Sequence, residues 1–300
     1  MRLIAPRSWH VDRRVTRSRF WKRVSWCAVM LLVLWLSGGL AGQTAGIPWG
    51  AMYVPLESMQ AYGMTGTVGY YRGPRGVTRL LSDLQLAQRD QVKLIVTLGN
   101  VSPAAYADDR GNLDLARVRE ELAPFLAAAD ELRPYVESGT LWGLRFLDEP
   151  HDPSGLPRGV IVNPQHLGEV MALLHTTFAG ARVGSTSPAS YMVQVPHAGW
   201  CTGGYHHDLL RRRGLYPLEH LRQDSALAVQ HGLRYVANLN ASTNPLDKRI
   251  FFEVYLALAR FPDVLFLTSW QWEQGRYPQP SFEQRLRDPQ VQDLVRALPR

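Results

Sequence analysis

The chain has 300 residues, 46% of them hydrophobic and 20% charged, a balance that supplies a sizeable core and excludes a disordered polypeptide. Its formal charge of +7 and pI near 9.6 suggest an acidic partner, but residues 1–45 hold Arg2, Arg7, Arg13, Arg14, Arg17, Arg19, Lys22 and Arg23 against Asp12 alone. The 25 basic and 25 acidic residues beyond them balance, so the remainder carries no nucleic-acid footprint.

The basic stretch runs into the apolar Trp26–Leu36 and then Ser37-Gly38-Gly39-Leu40-Ala41-Gly42, the order of a secretory signal, with Gly39 and Ala41 as the small residues expected at cleavage. Arg13-Arg14 also allows a twin-arginine signal, although Val15-Thr16-Arg17 continues it poorly. An uncleaved anchor is the competing reading, against which the strongly apolar core falls short of the roughly 20 residues of a spanning helix. Residues 1–45 are thus expected to be a signal peptide or signal anchor that exports residues 46–300 to the periplasm or exterior. Membrane contact is expected only through that anchor. Cys27 falls inside the leader, so Cys201 is expected to be the sole cysteine of the mature chain, which leaves neither an intramolecular disulfide nor a cysteine metal cluster. A buried structural thiol is the common outcome for such a residue, and a nucleophile the alternative.

From Ile47 onward short apolar runs alternate with amphipathic stretches, the pattern of repeated strand–helix units. Eight strands are predicted: Trp49–Val54, Thr67–Tyr71, Val92–Leu98, Leu141–Leu147, Arg182–Ser187, one within Met192–Gly204, Tyr235–Leu239 and Val264–Trp270. Helices are predicted over Val77–Arg89, over Asn112–Tyr135 with an interruption near Pro124, and over Pro164–Phe178, Leu218–His231 and Asp247–Arg260. The Pro- and Gly-rich His151–Asn163 reads as an extended loop. No internal repeat or linker marks a second domain, and the size suits a single (β/α)8 TIM-like barrel, for which about 250 residues is typical.

The most informative run is Leu141–Pro150, LWGLRFLDEP, in which an apolar strand stops on Asp148 and Glu149 and is followed by a proline. Parallel α/β architectures place their chemistry at such carboxyl ends. The other predicted strand ends gather Tyr53, Glu57, Tyr70, Tyr71, Arg72, Asn100, Ser187, Asn238, Asn240, Trp270, Trp272 and Glu273. Aromatic platforms, amides and a few carboxylates suit a sugar, whose C–H faces stack on rings while its hydroxyls need many polar partners. No phosphate-cradling glycine loop, metal-ligand spacing or GxSxG elbow is present, and no cofactor is expected. Tyr205-His206-His207-Asp208 is read as structural or supporting, because adjacent histidines do not by themselves converge on one ion. Arg211-Arg212-Arg213 reads as a solvated run.

The fourth-strand acid, the third strand VKLIVTLG and the tryptophan-bearing LFLTSWQWE resemble (β/α)8 glycoside hydrolases. The consecutive Asp148-Glu149 resembles glycoside hydrolase families 20 and 123, which act on N-acetylhexosaminides through the substrate's own acetamido group. That resemblance implies a glycan substrate, Glu149 as acid/base and Asp148 as the residue orienting the acetamido group. The chain departs from two-glutamate retaining enzymes, because the end of the seventh strand reads Asn238-Leu239-Asn240 where a nucleophilic glutamate is expected. A second carboxylate then comes from Glu273 or Glu57, or the reaction is substrate-assisted, or the protein binds carbohydrate without cleaving it. Separation decides the pathway, about 5 Å for covalent retention and roughly 6.5–9.5 Å for inversion. Adjacent carboxylates disfavour double ionisation, so one of the pair is expected to hold its proton unless the two side chains point to opposite faces.

Overall fold

The computed structural model describes residues 46–203, 217–238, 257–269 and 281–296. The leader, the Tyr205–Asp208 cluster, the arginine run and most of the predicted Asp247–Arg260 helix lie outside them. Seven parallel strands pair in chain order: β1 (Gly66–Tyr71), β2 (Lys93–Leu98), β3 (Leu141–Asp148), β4 (Val183–Thr186), β5 (Trp200–Gly203), β6 (Arg234–Asn238) and β7 (Val264–Thr268).

The predicted first strand exists as a closing segment instead of a regular strand. Gly50 N–H donates to Leu267 O at 3.1 Å and Met52 N–H to Ser269 O at 2.8 Å, while on the other side Tyr53 N–H donates to Val68 O at 2.9 Å and Gly66 N–H to Trp49 O at 3.0 Å. Isolated bridges, Trp49 to Leu267 and Met52 to Val68, replace a continuous ladder. The segment is short because Pro48 and Pro55 frame it without N–H groups to donate. It also approaches β1 so closely that a Cβ at Gly50 would lie 2.0 Å from Gly66 O. Pairing with both β7 and β1, it is the eighth stave, and the predicted barrel is observed.

Strands buried on both faces divide their side chains between two apolar regions. Met52, Val68, Ile95, Trp142, Trp200, Val236 and Phe266 fill the lumen, with Trp142 edge-on to both Phe266 and Trp200. Leu94, Val96, Leu98, Leu144, Phe146, Cys201 and Tyr235 face outward into the larger helix-covered core. Helix α1 (Leu56–Met59) follows the closing segment, and α2 (Gly73–Arg89) starts with Pro74 in its first turn and buries Leu80, Leu84 and Ala87 on one stripe. α3 (Leu115–Ala127) is capped by Asp114, whose carboxylate accepts from Ala116 N and Arg117 N. α3 continues through Pro124, and the break expected there falls at Ala128 (φ −90°, ψ 12°), where α4 (Ala129–Glu137) begins. The residue whose carbonyl Pro124 leaves without its N–H partner, Glu120, is exposed, which makes the proline tolerable. α5 (Pro164–Thr177) is capped by Asn163, α6 (Ala189–Met192) precedes β5, α7 (Pro217–Gln230) precedes β6, and α8 (Phe282–Leu286) and α9 (Pro289–Arg296) follow β7.

Candidate active site

Above the apolar lumen layer, the next inward position of every strand is polar. Tyr70 follows Val68, Thr97 follows Ile95, Thr202 follows Trp200, Asn238 follows Val236 and Thr268 follows Phe266, each two residues on. Gly143 and Gly184 lie against the lumen side chain of Trp200, which puts Arg145 and Thr186 on the same ring. The ring lies toward the carboxyl ends of the strands, where barrel chemistry is placed.

Arg145 organises one side of it. Its side chain is 1% exposed, and Nε donates to Thr97 Oγ1 at 2.6 Å, Nη1 to Thr186 Oγ1 at 2.9 Å and Nη2 to the Tyr53 hydroxyl at 3.0 Å. Nη1 also lies 3.4 Å from Asp148 Oδ1, an ion pair in which the carboxylate keeps 27% exposure. A guanidinium is tolerated at this depth because its fork of donors meets partners on both neighbouring strands.

Simple alternation from Arg145 would put Leu147 in the lumen and Asp148 outside. The register between β3 and β4 shifts between Arg145 and Asp148, and Leu147 takes a left-handed backbone (φ 64°) with its side chain fully buried in the outer core. Phe146 and Leu147 therefore both face out, and this bulge returns Asp148 to the Arg145 side. Ser185 Oγ donates to Leu147 O at 3.2 Å, and Asp148 N–H donates to Val101 O at 2.8 Å. Glu149, half-buried, is also left-handed (φ 48°), as is Tyr53 (φ 65°). Such conformations cost non-glycine residues on the order of 1–3 kcal/mol each and persist where surrounding structure imposes them.

Beyond Glu149 the chain is tied down. Asp152 N–H donates to Glu149 O at 2.8 Å, Val162 N–H to Pro150 O at 2.9 Å, and the Tyr191 hydroxyl to Val162 O at 2.9 Å. His151 Nδ1 lies 3.1 Å from Ser187 Oγ, so the residue just after β4 positions the imidazole two residues from Glu149.

The site residues expected from sequence separate into groups. Asp148, Tyr53 and Asn238 belong to the lumen ring or its rim, with Glu149 adjacent. Asn100, half-buried, has its Oδ1 accepting from Ser102 N at 3.0 Å and its N–H donating to Tyr106 OH at 2.8 Å, and so shapes the loop after β2. Tyr71 is not brought to the lumen. It faces the outer core at 3% exposure, donates to Asp83 at 2.9 Å and carries Arg79 over its ring; burial first, and Asp83 second, push its hydroxyl pKa well up. Its neighbour Tyr70 occupies the inward position instead. Arg72 turns toward α3, where Nε donates to Glu121 at 2.7 Å, and that bond raises the guanidinium further. Glu57 is exposed on α1 and, with Tyr53, Tyr70 and Arg79, lines a cavity of about 500 Å³. Glu273, Asn240, Trp270 and Trp272 lie outside the described residues. A larger cavity of about 630 Å³, lined by Tyr62, Met64, Lys93 and Gln292, opens near the amino ends of β1 and β2, the opposite end from Asp148.

Sequence reasoning missed Arg145, Thr97, Thr186, Thr202, Thr268 and His151. A charged residue inside the otherwise apolar LWGLRFL run was the one available signal. Cys201 is buried in the outer core, and burial, with Asp224 second, raises its thiol, the opposite of an activated nucleophile.

No protein-family model matches the chain, and neither does any curated protein. Solved structures similar to it include the endo-1,4-beta-mannanase from Rhizomucor miehei, at 10% identity and TM-score 0.54 over 75% of this chain and 86% of that one. The glycoside hydrolase 5 lichenase from Caldicellulosiruptor sp. F32, solved with cellotetraose, matches at 10% identity and TM-score 0.54 over 82% and 83%. A glycoside hydrolase family 5 enzyme from Prevotella bryantii B14 matches at 11% identity and TM-score 0.50 over 87% and 93%. At these identities the likeness is one of fold, and that fold is the (β/α)8 barrel found among glycoside hydrolases.

Proposed function

We propose that the chain is an exported glycoside hydrolase in which Glu149 is the general acid/base. The observation that carries the reading is the bulged end of β3, which sets Asp148 beside the Arg145 guanidinium and presents Glu149 next to it in a constrained backbone. The barrel shared with a mannanase and a lichenase supports the same class of chemistry. In this reading Glu149 protonates the glycosidic oxygen as the bond to the anomeric carbon breaks, and then takes a proton from the incoming water. Asp148, ion-paired from beneath, is an acceptor for a substrate group; where the substrate carries an acetamido group, as in families 20 and 123, Asp148 orients it and stabilises the developing charge on its nitrogen. Where it does not, Glu273 is the partner carboxylate. Export through residues 1–45, cleaved or retained as an anchor, belongs to the same proposal.

Asn238 favours a second reading, carbohydrate binding without cleavage, because a buried amide stands at the end of β6, the predicted seventh strand, in place of a carboxylate. Glu149→Gln separates the two. Turnover on chromogenic glycosides is expected to fall by about 10²–10⁴ while oligosaccharide binding persists, since the amide keeps the shape but not the proton. Wild-type binding without any turnover would leave only the binding reading.

A further inference from the structure

The lumen holds a second polar cluster that the chemistry of Glu149 does not use. Thr202 on β5, Asn238 on β6 and Thr268 on β7 are neighbours: Asn238 and Thr268 are register partners, and Thr202 pairs with Val236, the inward position below Asn238. Asn238 and Thr268 are 0% exposed and Thr202 is 2% exposed. Thr202 Oγ1, Asn238 Oδ1, Asn238 Nδ2 and Thr268 Oγ1 have no hydrogen-bond partner among the described residues. Buried polar groups are ordinarily satisfied, so four orphaned atoms on three adjacent strands require a common explanation.

We propose that Thr202, Asn238 and Thr268 form a binding site for a pair of adjacent hydroxyl groups. A carboxamide presents a donor on one edge and an acceptor on the other, and the threonine hydroxyls beside it each donate or accept. Two neighbouring oxygens that both carry protons and lone pairs match that set, as a vicinal diol of a sugar ring or as two ordered waters. A trans acetamido group directs its N–H and C=O to opposite sides and does not engage both edges of one carboxamide. With a sugar as the source, the inference rests on the glycan reading above and extends it to the substrate class: sugars with a free vicinal diol.

Thr268→Val, Thr202→Val and Asn238→Leu replace the polar atoms with apolar ones of similar size. Since no partner among the described residues is lost, the two valine variants are expected to melt at or above the wild-type temperature; a fall of more than about 4 °C would reveal partners within the protein and overturn the site. Calorimetric titration of cellotetraose, mannotetraose and chitotetraose, alongside oxygen-17 relaxation dispersion to count long-lived waters, distinguishes the two sources. A loss of affinity of about tenfold in Thr268→Val or Asn238→Leu, at unchanged melting temperature, assigns the site to the sugar diol. Unchanged glycan affinity with fewer long-lived waters assigns it to water. No change in either overturns the proposal. A wild type that binds none of the three glycans sinks the functional reading, and the water count then decides the site alone.

Discussion

The two sides of the lumen ring carry similar residues in different circumstances. On β2 to β4, Thr97, Thr186 and Asp148 converge on the Arg145 guanidinium, with Tyr53 completing the set from the closing segment. On β5 to β7, Thr202, Asn238 and Thr268 are as deeply buried but meet no such centre among the described residues. A polar residue at a barrel strand end is therefore not a site signal by itself. Where a charged group satisfies it, it is scaffolding that aims Asp148; where no described residue does, it is, as proposed above, the candidate for a bound molecule. The β5–β6 sector does have a wired face, on the outside. There Asp224 of α7 accepts from Ala189 N–H at 3.0 Å and from the Tyr235 hydroxyl at 3.0 Å, and Gly203 is required because a Cβ would strike that hydroxyl.

Arg145→Met tests the wired side with the largest expected effect. Removing one member of a buried ion pair costs about 3–5 kcal/mol, and the partial exposure of Asp148 places the expected loss at the lower end. Urea unfolding measures it, and a loss under about 1 kcal/mol would show that the guanidinium is not the organising group. Arg145→Lys restores the charge without the fork and is expected to recover only part of the stability.

A paired substitution sharpens the contrast further. Thr97→Val removes a bond to a charged donor and is expected to cost about 1.5–3 kcal/mol, whereas Thr268→Val removes none and is expected to cost nothing. Equal costs from the same denaturation experiment would abolish the distinction between the two sides. Tyr53→Phe comes next, at about 0.5–1 kcal/mol, because Tyr53 is 37% exposed and water replaces its hydroxyl.

The outer wiring makes a prediction in pH. Burial raises the Asp224 carboxyl above the ordinary carboxylate range, opposed by its hydrogen bonds from Tyr235 and Ala189 and by His220. A raised folded-state pKa means that the folded protein keeps a proton the unfolded chain has released. The resulting stabilisation is fully present below the unfolded value of about 3.9 and is lost as pH rises through the folded one. Melting temperatures of wild type and Asp224→Asn, followed from pH 3.5 to 8, should show wild type losing ground to the variant as pH rises; the reverse trend would mean that hydrogen bonding outweighs burial. Arg72→Ala is expected to have the smallest effect, leaving the melting temperature unchanged, because its ion pair with Glu121 is exposed and screened.

Sequence reasoning located six of the described strands to within a few residues and recognised the Asp148-Glu149 terminus, but it placed β5 (Trp200–Gly203) only somewhere within Met192–Gly204. It placed both Tyr70 and Tyr71 on the substrate side because both adjoin the same strand end. Period-two alternation separates the two residues but does not say which face is the lumen. It expected an interruption near Pro124; the helix runs through the proline, which an exposed turn accommodates, and breaks four residues later at Ala128.

What the sequence by itself determined was the repeated strand–helix alternation and the strand-terminal carboxylates, since periodicity, turn residues and an acid before a proline are all local. Only the tertiary structure decided which side chains share the lumen. A barrel strand is covered on both faces, so its two sides read alike in apolar content. A single bulge at Leu147 also exchanges the faces of everything after it. The partners of Arg145 stand 48 residues away at Thr97 and 92 at Tyr53, and such contacts exist only once the staves close.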